Sequence, residues 1–123
     1  MADAKQLLII DDDSRNIFAL TAVLRAKGYT IHSATSAAEG IECLFKEKGI
    51  KVVLMDIMMP DMDGYEAITA IRGQDALKDV KLIAVTAQAM VGDREKCLEA
   101  GADDYVSKPI DVDLLLQLLE TYQ

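Results

Sequence analysis

Five short aliphatic runs punctuate this chain, and a stretch with helical spacing follows each one. The runs are "LLII" (7–10), "YTIHSA" (29–34), "VVLM" (52–55), "LIAV" (82–85) and the short "YV" (105–106). Helical spacing is read from Ser14 to about Lys27, from about Ser36 to Lys48, after Gly64 to near Gly73, from about Gly92 to Ala100, and from Asp111 onward. Gly28, Gly49 and Gly101 follow three of these stretches, where a helix commonly stops. Strand–helix alternation with short connections implies an α/β fold: a parallel sheet covered by helices on both faces. Continuous aliphatic runs suit strands buried on both sides, so 7–10, 52–55 and 82–85 belong inside the sheet, and the mixed run 29–34 suits an edge.

The rest of the composition narrows the class. A chain of 123 residues supports one core, so residues 1–123 read as a single domain. A formal net charge of -8 disfavours a direct nucleic-acid partner or an anionic lipid surface. No apolar run is long enough to span a bilayer and "MADAKQ" has no signal-peptide core, so no direct membrane insertion and a cytoplasmic location are expected. Cys43 and Cys97 fall in helical stretches at a spacing that fits no zinc pattern, and read as packing residues.

In an open parallel sheet, ligands bind beyond the carboxyl ends of the strands, near the point where strand order reverses. Those ends carry Asp11, Asp12 and Asp13 after the first run; Asp56 and "IMMPDMDG" after the third; Thr86 and Ala87 after the fourth; and Ser107, Lys108 and Pro109 after the fifth. Carboxylates crowded into one cleft raise each other's pKa unless a cation neutralises them. Oxygen-only donors favour a hard divalent cation such as Mg²⁺. With an ammonium and a hydroxyl opposite, the same rim cradles a phosphoryl group, and a carboxylate can be its acceptor. Asp13 reads as a helix N-cap, and Pro60, Asp61, Asp63 and Gly64 as a turn.

The acidic pair after the first strand, "LMDIMMPDMDG" around the third, "VTA" after the fourth and "SKP" after the fifth, in this order over essentially the whole chain, resemble the response-regulator receiver domain of two-component and phosphorelay signalling. The resemblance implies a (βα)5 doubly wound, flavodoxin-like sandwich with strand order 2-1-3-4-5. It implies Asp56 as phosphoacceptor and Asp11, Asp12, Asp56 and the Met58 backbone carbonyl around Mg²⁺ or Mn²⁺. Thr86, the Ala87 N–H and Lys108 would hold the phosphoryl oxygens, and Thr86 with Tyr105 would form the switch. A cis peptide at Lys108–Pro109 is expected, and Met58 and Gln88 would tune phosphate lifetime. His32 lies on the edge strand and is read as surface, so the donor is another molecule: a sensor histidine kinase or a histidine phosphotransfer protein.

The resemblance further implies a signalling module, not an enzyme, that assists its own phosphorylation and dephosphorylation. It would be a monomer or a weak phosphorylation-linked dimer, with a downstream protein partner at helix four, strand five and helix five. On helix five, Val112, Leu115, Leu116 and Leu119 form the stripe to be buried; Leu114, Leu118 and Tyr122 form a second stripe, read as a docking patch or as part of a wide buried face. Phe18 is either exposed beside the site or tucked under helix five. The chain ends after helix five, so a stand-alone regulator and a receiver excised from a hybrid histidine kinase are both open.

Two rivals are weighed. A haloacid-dehalogenase-type phosphatase would use Asp11 as nucleophile with Asp13, Thr86 and Lys108, but it expects a final acidic pair after the lysine, whereas Asp103 and Asp104 precede it. A flavin-binding carrier of similar topology would need a phosphate-wrapping first loop that this chain lacks.

Overall fold

The computed structural model describes residues 5–57, 64–86, 93–108 and 110–122. Five strands, β1 (Lys5–Ile10), β2 (Tyr29–Ala34), β3 (Ile50–Asp56), β4 (Lys81–Thr86) and β5 (Asp104–Ser107), pair in parallel in the order β2-β1-β3-β4-β5. The helices are α1 (Ser14–Ala26), α2 (Ala37–Lys46), α3 (Gly64–Arg72), α4 (Asp93–Ala100) and α5 (Val112–Tyr122). A short 3-10 turn at Asp75–Leu77, which the sequence did not suggest, leads into β4. Both strand ends of the order are edges, and the mixed run 29–34 is one of them, as its composition implies.

Alternation along the inner strands explains the two layers. Leu8, Ile10, Val53, Met55, Leu82 and Ala84 face α2, α3 and α4 in one buried cluster. Their chain neighbours Leu7, Ile9, Val52, Leu54, Ile83 and Val85 face α1 and α5 in another. A period-two strand with both faces apolar can be stable only when covered on both sides. Helix starts are set locally: Asp13 accepts the Arg15 N–H and Ser36 accepts the Glu39 N–H, each satisfying an otherwise unpaired first-turn donor. Gly28 (φ 95°) and Gly101 (φ 120°) end α1 and α4 in the left-handed region open to glycine. By contrast α2 ends earlier than the sequence suggested, at Lys46 with Glu47 as its cap, before Gly49 is reached.

Past α4 the chain is pinned. The Arg72 Nε donates to the Gly101 carbonyl at 2.7 Å and Nη1 to the Val80 carbonyl at 2.6 Å, while Nη2 pairs with the Asp103 carboxylate. From the other layer, the Tyr122 hydroxyl lies 3.1 Å from the Asp103 carbonyl and 3.1 Å from the Asp104 carboxylate. The entry to β5 is therefore held from both faces of the sheet.

Candidate functional site

The ladder of backbone hydrogen bonds runs on to the rim where the strands end. The Asp11 N–H donates to the Ala34 carbonyl at 3.1 Å, that of Ile57 to Val85 at 3.0 Å, and that of Lys108 to Thr86 at 2.7 Å. The side chains beyond β1, β3 and β5 are thus positioned by the sheet. Strand order reverses between β1 and β3, which opens a crevice there.

Asp11, Asp12 and Asp56 meet in that crevice, each with a carboxylate oxygen within 4.8 Å of the others. Asp11 and Asp56 are buried, each 4% exposed, and Asp12 is exposed. The Lys108 ammonium stands 3.4 Å from Asp56 Oδ2 and 3.7 Å from Asp11 Oδ2. At such a separation two carboxylates repel by about 3–4 kcal/mol at an effective dielectric constant near 20. One ammonium offsets part of this, and a net negative charge remains. A single Mg²⁺ spans opposite ligand oxygens about 4.2 Å apart. An all-oxygen donor set of nearly that spread, with surplus negative charge, fits a hard divalent cation. Among the described residues this is the one group of three or more Asp, Glu, His or Cys residues gathered so closely.

The remaining expected residues fall as follows. Thr86, 1% exposed, ends β4 one residue beyond Val85, the β3–β4 partner of Asp56, and it pairs in register with Ser107. Tyr105 is half-buried on β5 and packs against the core under α2, α3 and α4. Met58, Ala87, Gln88, the turn residues Pro60, Asp61 and Asp63, and the Lys108–Pro109 bond lie outside the described residues. His32 is half-buried at the edge and bonded to the Gln6 side chain at 3.0 Å, away from the rim.

Asp13 does what its position predicts and nothing more. Its carboxylate caps α1, and the Arg15 guanidinium and N–H beside it hold its pKa below the usual carboxylate range. Asn16 carries no role in the sequence reading, yet its side-chain amide reaches Asp11 Oδ2 at 3.5 Å while the Asp13 N–H reaches Asp11 Oδ1 at 2.9 Å. The clue lies in the stretch "DDDSRN" (11–16), since Asn16 sits in the first turn of the helix that Asp13 caps. Phe18 is exposed, at 77%, which removes the alternative of burial under α5. On α5, Leu115 and Leu119 are buried and Leu114 is exposed, but Leu118 and Tyr122 pack against the core. The second stripe is accordingly not one free patch.

The family model of the response regulator receiver domain matches residues 7–120, and the chain belongs to that family. It is a receiver domain of two-component signalling, with the strand order that the resemblance implied. Among its relatives, hybrid signal transduction histidine kinase I of Dictyostelium discoideum is 37% identical over 123 residues, covering 95% of this chain and 7% of the kinase. The polar-differentiation response regulator DivK of Brucella anthropi is 31% identical over 118 residues, 96% of this chain and 95% of DivK. The chain therefore spans a small part of the hybrid kinases and nearly the whole of DivK. The solved receiver domain of the sensor histidine kinase PA1611 from Pseudomonas aeruginosa is 32% identical, with 98% of each chain covered and a TM-score of 0.87; that structure has a magnesium ion coordinated in its active-site cleft.

The phosphatase alternative finds no support. The family match over residues 7–120 is to the receiver domain, and Asp13, the would-be acid, is committed to Arg15 and the helix cap. For the membrane expectation, no helix among the described residues is long and apolar enough to cross a bilayer.

Proposed function

We propose that this receiver accepts a phosphoryl group on Asp56 from a phosphohistidine of a sensor histidine kinase or histidine phosphotransfer protein. The observation that carries this is the meeting of Asp11, Asp12 and Asp56 within 4.8 Å, with the Lys108 ammonium 3.4 Å from Asp56. An Asp56 oxygen attacks phosphorus as the phosphorus–nitrogen bond breaks, and the departing imidazole takes up a proton. Asp11, Asp12, Asp56 and, by resemblance, the Met58 carbonyl would hold Mg²⁺ (or Mn²⁺), which would supply charge neutralisation for the carboxylates and the phosphoryl oxygens.

The chain's own groups do the rest. Asn16 and the Asp13 N–H orient Asp11. Lys108 neutralises the acceptor carboxylate and follows its charge onto the phosphoryl oxygens. Thr86 donates its hydroxyl to one such oxygen and the Ala87 N–H to another. A Thr86 drawn toward phosphate leaves room for Tyr105 to turn inward, which biases α4, β5 and α5 toward a second arrangement read by a downstream protein. Receiver membership and the relation to hybrid kinases support the donor class; the switch rests on the positions of Thr86 and Tyr105 alone.

The test is exposure to acetyl phosphate with and without Mg²⁺, followed by peptide mass spectrometry. One phosphoryl group is expected on the Asp56 peptide, dependent on Mg²⁺ and lost in Asp56→Asn. A label on Asp11, or undiminished labelling in Asp56→Asn, would overturn the proposal.

A further inference from the structure

A slot of about 220 Å³ runs from the acidic crevice down between α1 and the segment that leads from β5 into α5. Its floor is Ile9, Leu54 and Val85, one residue from each of β1, β3 and β4, and its sides are lined by Leu20 of α1 and by Ile110, which precedes α5. Asp11, Asn16, Asp56 and Lys108 border it where it opens on the rim. An apolar cavity of ~150 Å³ already admits benzene, so this one holds an aromatic ring together with a small head group. Its floor offers water few hydrogen-bonding partners, which makes it poorly hydrated.

We infer that this slot binds a small organic cation: an apolar ring or chain lying on Ile9, Leu54 and Val85, with an amidinium-type head against Asp11 and Asp56. Charge decides the head group. Among the described residues the lining carries two carboxylates against one ammonium, and Asp12 adds a third carboxylate within 4.8 Å of the first two. An anion would meet that excess. A neutral head would leave that excess charge uncompensated. A planar nitrogen fork matches carboxylate oxygens in pairs, and its body supplies apolar burial that a hydrated metal ion cannot.

The consequence rests on the receiver reading above: head group and divalent cation need the same carboxylates, so each weakens the other's binding by the same factor. A cation of this class would hold the receiver unphosphorylated without touching its switching face.

Benzamidinium, titrated into the full isotope-labelled chain without divalent cation, is the test. Saturable NMR shifts are expected at Ala19, Leu20 and Ile110, with ring contacts to the Leu20 and Leu54 methyls and a Kd of about 1 mM. Neutral benzamide and anionic benzoate should bind at least about tenfold more weakly, and Mg²⁺ should raise the apparent Kd in proportion to its concentration. Ala19→Leu, at an exposed helical position lining the slot, should keep its helical spectrum and weaken binding about tenfold. Benzamide binding as tightly, ring contacts elsewhere, or unchanged affinity in a folded Ala19→Leu would each overturn the inference. Asp56 labelling by acetyl phosphate, run separately without benzamidinium, isolates the other reading. No label there defeats the receiver chemistry and leaves the slot to stand on its ring contacts.

Discussion

Arg72→Met should destabilise the protein by about 3 kcal/mol while leaving the chemistry of Asp56 intact. Arg72 ends α3, and its guanidinium serves three acceptors on two separate pieces of chain: the Val80 carbonyl at 2.6 Å before β4, and the Gly101 carbonyl at 2.7 Å with the Asp103 carboxylate between α4 and β5. Asp103 in turn accepts the Leu82 N–H at 2.9 Å, so the ion pair also anchors the start of β4. Charge-assisted hydrogen bonds contribute about 1.5–3 kcal/mol each. The Arg72 and Asp103 side chains are 22% and 28% exposed, so water takes over part of what is lost, and the sum of three falls toward the value of one or two. Methionine keeps most of the apolar stem, which confines the loss to the polar head. A loss of about 3 kcal/mol corresponds to roughly 10 °C in Tm for a domain of this size.

Urea unfolding at neutral pH measures the change directly, with Arg72→Lys alongside. A lone ammonium cannot reach three acceptors spread over two segments, so lysine should recover less than about 1 kcal/mol. The double variant with Asp103→Asn should lose less than the sum of the two single changes. Arg72 pins the ends of β4 and β5 that lie opposite Thr86 and Lys108, so acetyl phosphate should label Asp56 at the wild-type rate wherever the variant is folded. A destabilisation below about 1 kcal/mol, or full rescue by lysine, would refute this account of the clamp.

Two further outcomes follow from burial. Leu114→Glu should alter stability by no more than about 0.5 kcal/mol, because Leu114 is 48% exposed, whereas Leu118→Glu should cost about 1–3 kcal/mol by placing a carboxylate where the core packs; equal losses in thermal melts would contradict the division of α5 into one open and one covered leucine. Burial, reinforced by Glu47 and Glu39, pushes the Cys43 thiol above its usual range, so iodoacetamide should alkylate Cys43 more slowly than free cysteine at pH 8 and faster as pH rises, while Cys97, fully buried, reacts only on unfolding; rapid labelling of Cys97 in the native protein would count against the packing under α4.

What could be read from residues alone divides along a physical line. The rim required only strand order: once the βα alternation implies a parallel sheet, every strand end points one way, and Asp11, Asp56 and Lys108 are brought together whatever the helices do. The Asp13 cap needed only its own neighbours. Arg72 and Asp103 are 31 residues apart, and each alone reads as an ordinary surface charge, so their meeting depends on where α3 and α4 come to rest on the sheet. The same dependence left the reading of α5 open. Helical spacing sorts Leu114, Leu118 and Tyr122 onto one stripe but says nothing of how far the core extends beneath it, and Tyr122 turns out to reach back to Asp103 and Asp104. The slot belongs to this second kind as well, being a gap left between α1 and the approach to α5, with no residue pattern of its own. Chemistry carried by strand ends is therefore readable from the alternation itself, whereas whatever is built from the distances between helices has to be measured in three dimensions.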